Sequence, residues 1–140
     1  MSNRISPIIF ALALPGLFFG VATIFAVIHG REHFVALATL ATIGAVAAVL
    51  APDAALRIAF ASGFLAALIA VWLQGAFLDL YFDNNPDYRM DVGPFGLNIR
   101  LFVFVMSPVG AMIAGGVSAL TALFVKFLFT IIGSARRDTA

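Results

Sequence analysis

The sequence predicts an all-α integral membrane protein, a four-transmembrane-helix bundle with one structured polar loop between helices 3 and 4. Its 140 residues are 63% hydrophobic and only 11% charged, whereas a soluble domain carries about 25% charged residues. The mean hydropathy is +1.09. A chain of this length buries only about two-thirds of its surface when it folds in water. We therefore expect most of its apolar side chains to face the lipid bilayer.

Four apolar runs also support this fold, because a helix needs about 20 apolar residues to cross the hydrocarbon core. We place the spans at about residues 5–28, 34–50, 54–79 and 108–132, with an outer loop at about 80–106. The first run is longer than the 7–15 apolar residues typical of a signal peptide, so we interpret it as an uncleaved span. The whole chain, residues 1–140, is expected to form a single membrane domain.

The segment LNIRLFVFVM, residues 97–106, is open to three interpretations. It can be a short interfacial helix, an extended segment against the bundle, or a kinked extension of the fourth span. Ser107 and Pro108 follow it. Since serine is a good N-cap and proline a good first helical residue, this pair predicts that the fourth span begins at Pro108.

Small residues repeat along all four spans, and in lipid such residues allow helices to approach closely. The glycines expected to make helix contacts are Gly16, Gly20, Gly44, Gly63 and Gly115. The interpretation that we prefer is that they hold one bundle together. The alternative is that the GxxxG pair of the first span forms a seam between copies of the chain.

Basic residues are in slight excess at the end of the bundle that carries both termini. The residues concerned are Arg4, Arg57, Lys126, Arg136 and Arg137. The opposite end carries Arg31, Arg89 and Arg100. By the positive-inside rule, both termini are expected in the cytoplasm. If the source is bacterial, which is an assumption, the membrane is the inner (plasma) membrane.

Several classes of function are disfavoured by what the sequence contains. A net charge of +1 argues against a nucleic-acid partner, which calls for a basic face. There is no cysteine, and no recognisable catalytic or phosphate-binding motif is present. We expect no enzymatic activity, no cofactor and no metal site.

The acidic segment YFDNNPDYRMDVG, residues 81–93, invites comparison with a calcium loop. Asp83, Asn85, Asp87 and Asp91 match ligand positions 1, 3, 5 and 9 of an EF-hand. Tyr88 then stands where that loop needs glycine, and Pro94 where it needs glutamate. We interpret the segment as a proline-stiffened turn instead. The pair His29 and His33 is likewise interpreted as polar residues at the membrane interface.

A ligand or partner, if there is one, is expected to contact the polar residues near the outer end of span three and in the loop. These are Gln74, Asp79, Asp83, Asn85, Asp87, Arg89, Asp91 and Arg100. Asp79 and Arg100 should lie at similar depth, so we predict that they form an ion pair. Gln74 is expected to bond to a neighbouring helix.

Two functions fit this pattern. The first is a non-enzymatic accessory, assembly or structural component that binds a larger membrane complex or copies of itself within the lipid bilayer. The alternative is a small homo-oligomeric channel or transporter for an ion or small solute, with a path past Gln74 and Asp79. The first is preferred because the spans are almost uniformly apolar, whereas a permeation path requires polar groups along at least one helix.

Overall fold

The computed structural model describes residues 5–90 and 92–138, with the side chains of Phe95 and of residues 135–138 excepted. Over this part of the chain the regular structure is entirely helical. Two short 3₁₀ turns, Pro86–Tyr88 and Pro94–Gly96, interrupt the connection between the last two α-helices. The helices are α1 (Ile5–Ile24), α2 (Glu32–Leu50), α3 (Ala55–Ala76), α4 (Leu78–Asn84) and α5 (Ile99–Asp138).

Four of these helices are long and apolar enough to cross a membrane, judged by length and composition. They are α1, α2, α3 and the part of α5 from Ile99 to Ser134. The predicted set of four apolar helices is thus confirmed. The short helix α4 lies within the segment predicted as a polar loop, so that the first part of this connection is helical.

The long helices are arranged around α3, which packs extensively against both α5 and α1. Helix α2 packs against α5 and α3, whereas α1 and α2 touch each other little. The chain turns between α1 and α2 at the same end as the α3–α5 connection, which we call the loop end. At the opposite end, the terminal end, Lys126 Nζ donates to the Pro52 carbonyl at 2.8 Å.

Glycines lie where the helix backbones come closest. A Cβ at Gly16 would overlap the backbone of Ala66 on α3, and one at Gly44 would overlap the Ser118 carbonyl on α5. Gly20 faces Ala70, Gly63 faces Ser118, and Gly115 faces the Phe60 backbone. All five therefore lie at contacts within one chain. Because α3 covers Gly16 and Gly20, these two glycines are not free to form a seam between copies.

The fourth long helix begins at Ile99 and runs through Pro108, so the predicted start at Pro108 is wrong. Residues 97–106 are mainly a helical extension, and Asn98 caps it by accepting from the Arg100 N–H at 2.9 Å. Proline leaves the carbonyl four residues earlier, at Phe104, without its helical donor. The Ser107 hydroxyl donates to that carbonyl at 2.8 Å, which replaces the lost bond.

Trp72 of α3 fixes this repaired turn against the bundle. Its indole Nε1 donates to the Ser107 hydroxyl at 2.8 Å, and its ring meets that of Phe104 edge-on. Phe104 also lies against Gly75 of α3. An N-cap preference for serine therefore gives way to a tertiary contact that keeps the helix continuous.

The other helix ends differ from the predicted boundaries by a few residues. Helix α1 ends at Ile24, and the turn that follows places Ala26 (φ 54°) and Gly30 (φ 73°) in the left-handed region. Helix α3 ends at Ala76, and Phe77 separates it from α4. These breaks place the polar residues of both connections next to each other at the loop end.

Candidate functional site

Asn85 is the centre of a hydrogen-bond network that joins the connection after α3 to the turn after α1. The residue follows α4 and is only 1% exposed. Its Nδ2 donates to the carbonyls of Thr23 and Tyr81, both at 2.9 Å. Its Oδ1 lies 2.9 Å from His29 Nδ1. All of its hydrogen-bonding groups are thus used inside the protein, as a buried amide requires.

Gln74 extends the network into the bundle. Its Nε2 donates to the hydroxyl of Thr23 on α1, and that hydroxyl donates in turn to the Gly20 carbonyl at 2.8 Å. The predicted bond from Gln74 to a neighbouring helix is therefore present. Thr23 has polar contacts with both α3 and the loop. These contacts join the end of α1 to each of them.

His29 is surrounded by acidic and aromatic side chains. Its Nε2 lies 3.5 Å from an Asp87 carboxylate oxygen, and its Nδ1 lies 3.8 Å from Glu32. The Tyr88 hydroxyl donates to Glu32 at 3.3 Å, and the rings of His29 and Tyr88 are 5.1 Å apart.

Burial raises the pKa of Tyr81, and the nearby Glu32 carboxylate raises it further. Tyr81 is therefore a neutral phenol at neutral pH.

Asp79 and Arg100 form the predicted ion pair, with Arg100 Nη2 3.0 Å from Asp79 Oδ2. The two side chains are 91% and 47% exposed, so the pair is weak in water. It borders an open cavity of about 270 Å³ that Arg89 and Asn98 also line. This cavity is separate from the Asn85 network and shares no lining residue with it.

The residues expected to contact a ligand or partner fall into three groups. Asp79, Asp83, Asp87, Arg89 and Arg100 are exposed at the loop end. Gln74 and Asn85 instead bond to other parts of the bundle, and the Asn85 amide pairs with three buried or half-buried polar groups. That any of these residues contacts a ligand or partner stays a prediction. Asp91 lies outside the described residues.

Among residues 5–90 and 92–138, no group of three or more His, Asp or Glu side chains is placed to hold a metal ion. His29 is engaged with Asn85. His33 is exposed.

Sequence reasoning missed Thr23, Glu32, Trp72 and Ser107 as contributors to this end of the bundle. Thr23 and Trp72 carry hydrogen-bonding groups near the ends of apolar runs, and that position is the signal that distinguishes them. Their partners are 35 to 62 residues away in the sequence, which no local pattern specifies.

Exposed apolar residues lie close to the charged residues of the loop end. Met90 is 56% exposed and Val92 is 63% exposed, in the connection between the 3₁₀ turns. Leu97 and Tyr88 are partly exposed nearby in sequence. Met90 also lines the open cavity that Asp79 and Arg100 border, so apolar and charged side chains lie side by side at the loop end.

Comparison with protein-family models, with curated proteins and with solved structures returns no significant match to this chain.

Proposed function

We propose that this protein is a non-enzymatic accessory or assembly component of a membrane complex, and that its loop end contacts a larger membrane subunit. The observation that carries the proposal is the pairing of exposed Met90 and Val92 with a connection that is anchored to the bundle through Asn85. Contiguous exposed apolar patches with a polar rim mark interaction sites, and the charged Asp79 and Arg100 beside Met90 supply part of such a rim.

The anchoring supports the proposal on energetic grounds. Binding orders the side chains and loops that it uses, and this ordering costs free energy. Here the segment is already held by the bonds from Asn85 to Thr23 and His29. The part of the connection that leads to Met90 is thus hydrogen-bonded in place through Arg89 before any partner binds.

Gentle extraction and affinity purification test the proposal, with quantitative mass spectrometry of the recovered proteins. The double variant Met90→Ser/Val92→Ser is expected to lower recovery of the partner at least tenfold. The matched control is Met112→Ser/Ile113→Ser, because these α5 residues are 56% and 66% exposed, nearly the same as the loop pair. The control should recover the partner like the wild type.

Two results would overturn the proposal. One is purification of the wild type solely as a symmetric homo-oligomer. The other is equal recovery of the partner with the loop variant and the control, which would place the contact elsewhere.

We propose further that the four apolar helices span the inner (plasma) membrane of a bacterium with both termini in the cytoplasm. The slight excess of basic residues at the terminal end supports this orientation. The chain has no native cysteine, so a single cysteine can be labelled selectively. Asp83→Cys is the suitable position because Asp83 is exposed, and a membrane-impermeant reagent applied outside intact cells should label it. Labelling that requires cell disruption would reverse the orientation.

A homo-oligomeric channel or transporter is the second candidate, favoured by a cavity of about 160 Å³ that Gln74 and small residues of α1 and α3 line. It ranks lower because Gln74 donates to Thr23 and Asp79 pairs with Arg100. Ion or solute flux into proteoliposomes tests it. Unchanged flux in Gln74→Leu and Asp79→Asn, or no flux at all, would rule this candidate out.

A further inference from the structure

A long groove separates α1 from α2, the two neighbouring long helices that touch each other least. Its volume is about 750 Å³, within the roughly 300–1,000 Å³ of small-molecule sites. Pro15 lies at the groove, where the missing helical bond permits α1 to bend away from α2. The walls include Ala11, Pro15, Phe34, Ala38, Thr42 and Val46.

The groove walls are apolar even where threonines line them. The hydroxyls of Thr39 and Thr42 donate to the carbonyls of Val35 and Ala38 in their own helix, at 2.8 Å each. They therefore have no remaining proton to offer an occupant. A hydrocarbon chain matches such a surface better than a polar solute does.

Arg31 lies at the mouth of the groove, at the loop end, and is the one charged residue among its lining side chains. It is exposed and immediately precedes α2, where the positive end of the helix dipole also favours an anion. No ion pair involves Arg31 within the described part of the chain. Glu32, its neighbour, faces Tyr88 and His29 instead.

The dimensions match one membrane leaflet. From Phe34 to Val46 the groove follows ~18 Å of α2, at 1.5 Å per helical residue. One leaflet of the hydrocarbon core is about 15 Å deep, half of the roughly 30 Å total. An acyl chain that enters beside Arg31 would therefore end near or just beyond the bilayer midplane.

We infer that the α1–α2 groove is a binding site for an anionic phospholipid, whose acyl chain lies along α2 and whose phosphate meets the Arg31 guanidinium. Arginine is suited to this role because its planar fork binds phosphate through two parallel hydrogen bonds. The lipid belongs to the leaflet that faces the loop end. This site goes beyond the proposed partner contact and involves neither Met90 nor Val92.

A helix from a partner protein fits the groove less well. Helix pairs in lipid require close approach of their backbones. Phe34 at the mouth is 84% exposed, and its ring would hold a second helix away from the small residues of the groove.

Native mass spectrometry of the full chain in detergent tests the site, with phosphatidylglycerol and phosphatidylcholine as the added lipids. Wild type should retain phosphatidylglycerol in preference to phosphatidylcholine. Arg31→Gln should weaken phosphatidylglycerol binding about fivefold, the effect of one basic residue at an anionic membrane surface, while Arg57→Gln at the terminal end serves as the charge-matched control. Ala38→Phe should fill the groove and abolish retention of both lipids.

The same experiment decides the alternatives. Equal weakening by Arg31→Gln and Arg57→Gln would overturn the headgroup contact. Unchanged retention in Ala38→Phe would overturn the groove as the lipid site. If Ala38→Phe instead releases a second copy or a partner helix without changing lipid retention, the occupant is a helix and the inference is wrong. Partner recovery through the loop end is measured separately, so each proposal can fail alone.

Discussion

Along α3, the middle of the helix and its loop end make contacts of opposite kinds. In the middle, Gly63 lies against the small Ser118 side chain and the Ala114 carbonyl of α5, and the backbone of Ala66 lies against Gly16 of α1. At the loop end, Trp72 and Gln74 donate hydrogen bonds to Ser107 and Thr23 on the same two neighbours.

The difference follows from what each region has available. Helices in lipid gain little from burying apolar surface, so they associate through close backbone packing. Where the apolar helices end, backbone groups freed by turns need polar partners. Packing in the middle of the bundle therefore requires small side chains, whereas the loop end requires particular polar side chains. The following substitutions test this contrast, from the largest expected effect to the smallest.

Gly16→Ala should have the largest effect. The added Cβ would overlap the Ala66 backbone, which cannot move aside as a flexible side chain can, so we expect a loss of about 3 kcal/mol or more in the free energy of unfolding. Unfolding in mixed detergent micelles, followed by circular dichroism, measures it. Gly110→Ala is the control because open space surrounds that position. Equal loss in both variants would show that α1 and α3 are not in close contact.

Asn85→Ala should cost about 2–3 kcal/mol, because the Thr23 carbonyl and His29 lose a buried amide partner. The neighbouring Asn84 is exposed and bonds only to the Leu80 carbonyl of its own helix. Asn84→Ala should therefore change the free energy of unfolding by less than about 0.5 kcal/mol. Similar losses in the two variants would contradict a specific anchoring role for Asn85.

Ser107→Ala should cost about 1–2 kcal/mol, because it removes both the acceptor for Trp72 and the donor to the Phe104 carbonyl. The protein has one tryptophan, so its fluorescence reports the lost indole bond directly. Ser134→Ala, which removes only a bond to Ile131 within α5, is the control. An unchanged emission spectrum in Ser107→Ala would argue against the indole contact.

The Asp79–Arg100 pair should contribute least, about 0.2–1 kcal/mol, because Asp79 is almost fully exposed and Arg100 is about half exposed. A double-mutant cycle with Asp79→Asn and Arg100→Gln isolates the pair from the other contacts of each residue. The coupling should fall in high salt. A coupling above about 2 kcal/mol would mean that the pair is shielded from solvent.

The sequence was sufficient to predict the four apolar helices and the glycines that lie between them. Both depend on patterns that lipid imposes along each helix separately. It was also sufficient for the Asp79–Arg100 pair, since helix length alone places the two residues at similar depth.

The sequence was not sufficient for the roles of Asn84 and Asn85. The two residues are identical neighbours, yet one is exposed and the other is buried. Only the path of the chain around Thr23 and His29 distinguishes them. The predicted start of α5 was wrong for the same reason. The local preference of Ser107 for a helix N-terminus is overridden by its contact with Trp72 from another helix.

Amide hydrogen exchange over residues 77–98 is the most direct test of the central claim that Asn85 anchors the connection after α3 to the bundle. The wild type and Asn84→Ala should show slow exchange in α4 and in the turn at Tyr88 and Arg89, where backbone N–H groups are bonded. Asn85→Ala should exchange at least tenfold faster there, with the long helices unaffected. Rapid exchange in the wild type, or no difference between the two asparagine variants, would contradict the account.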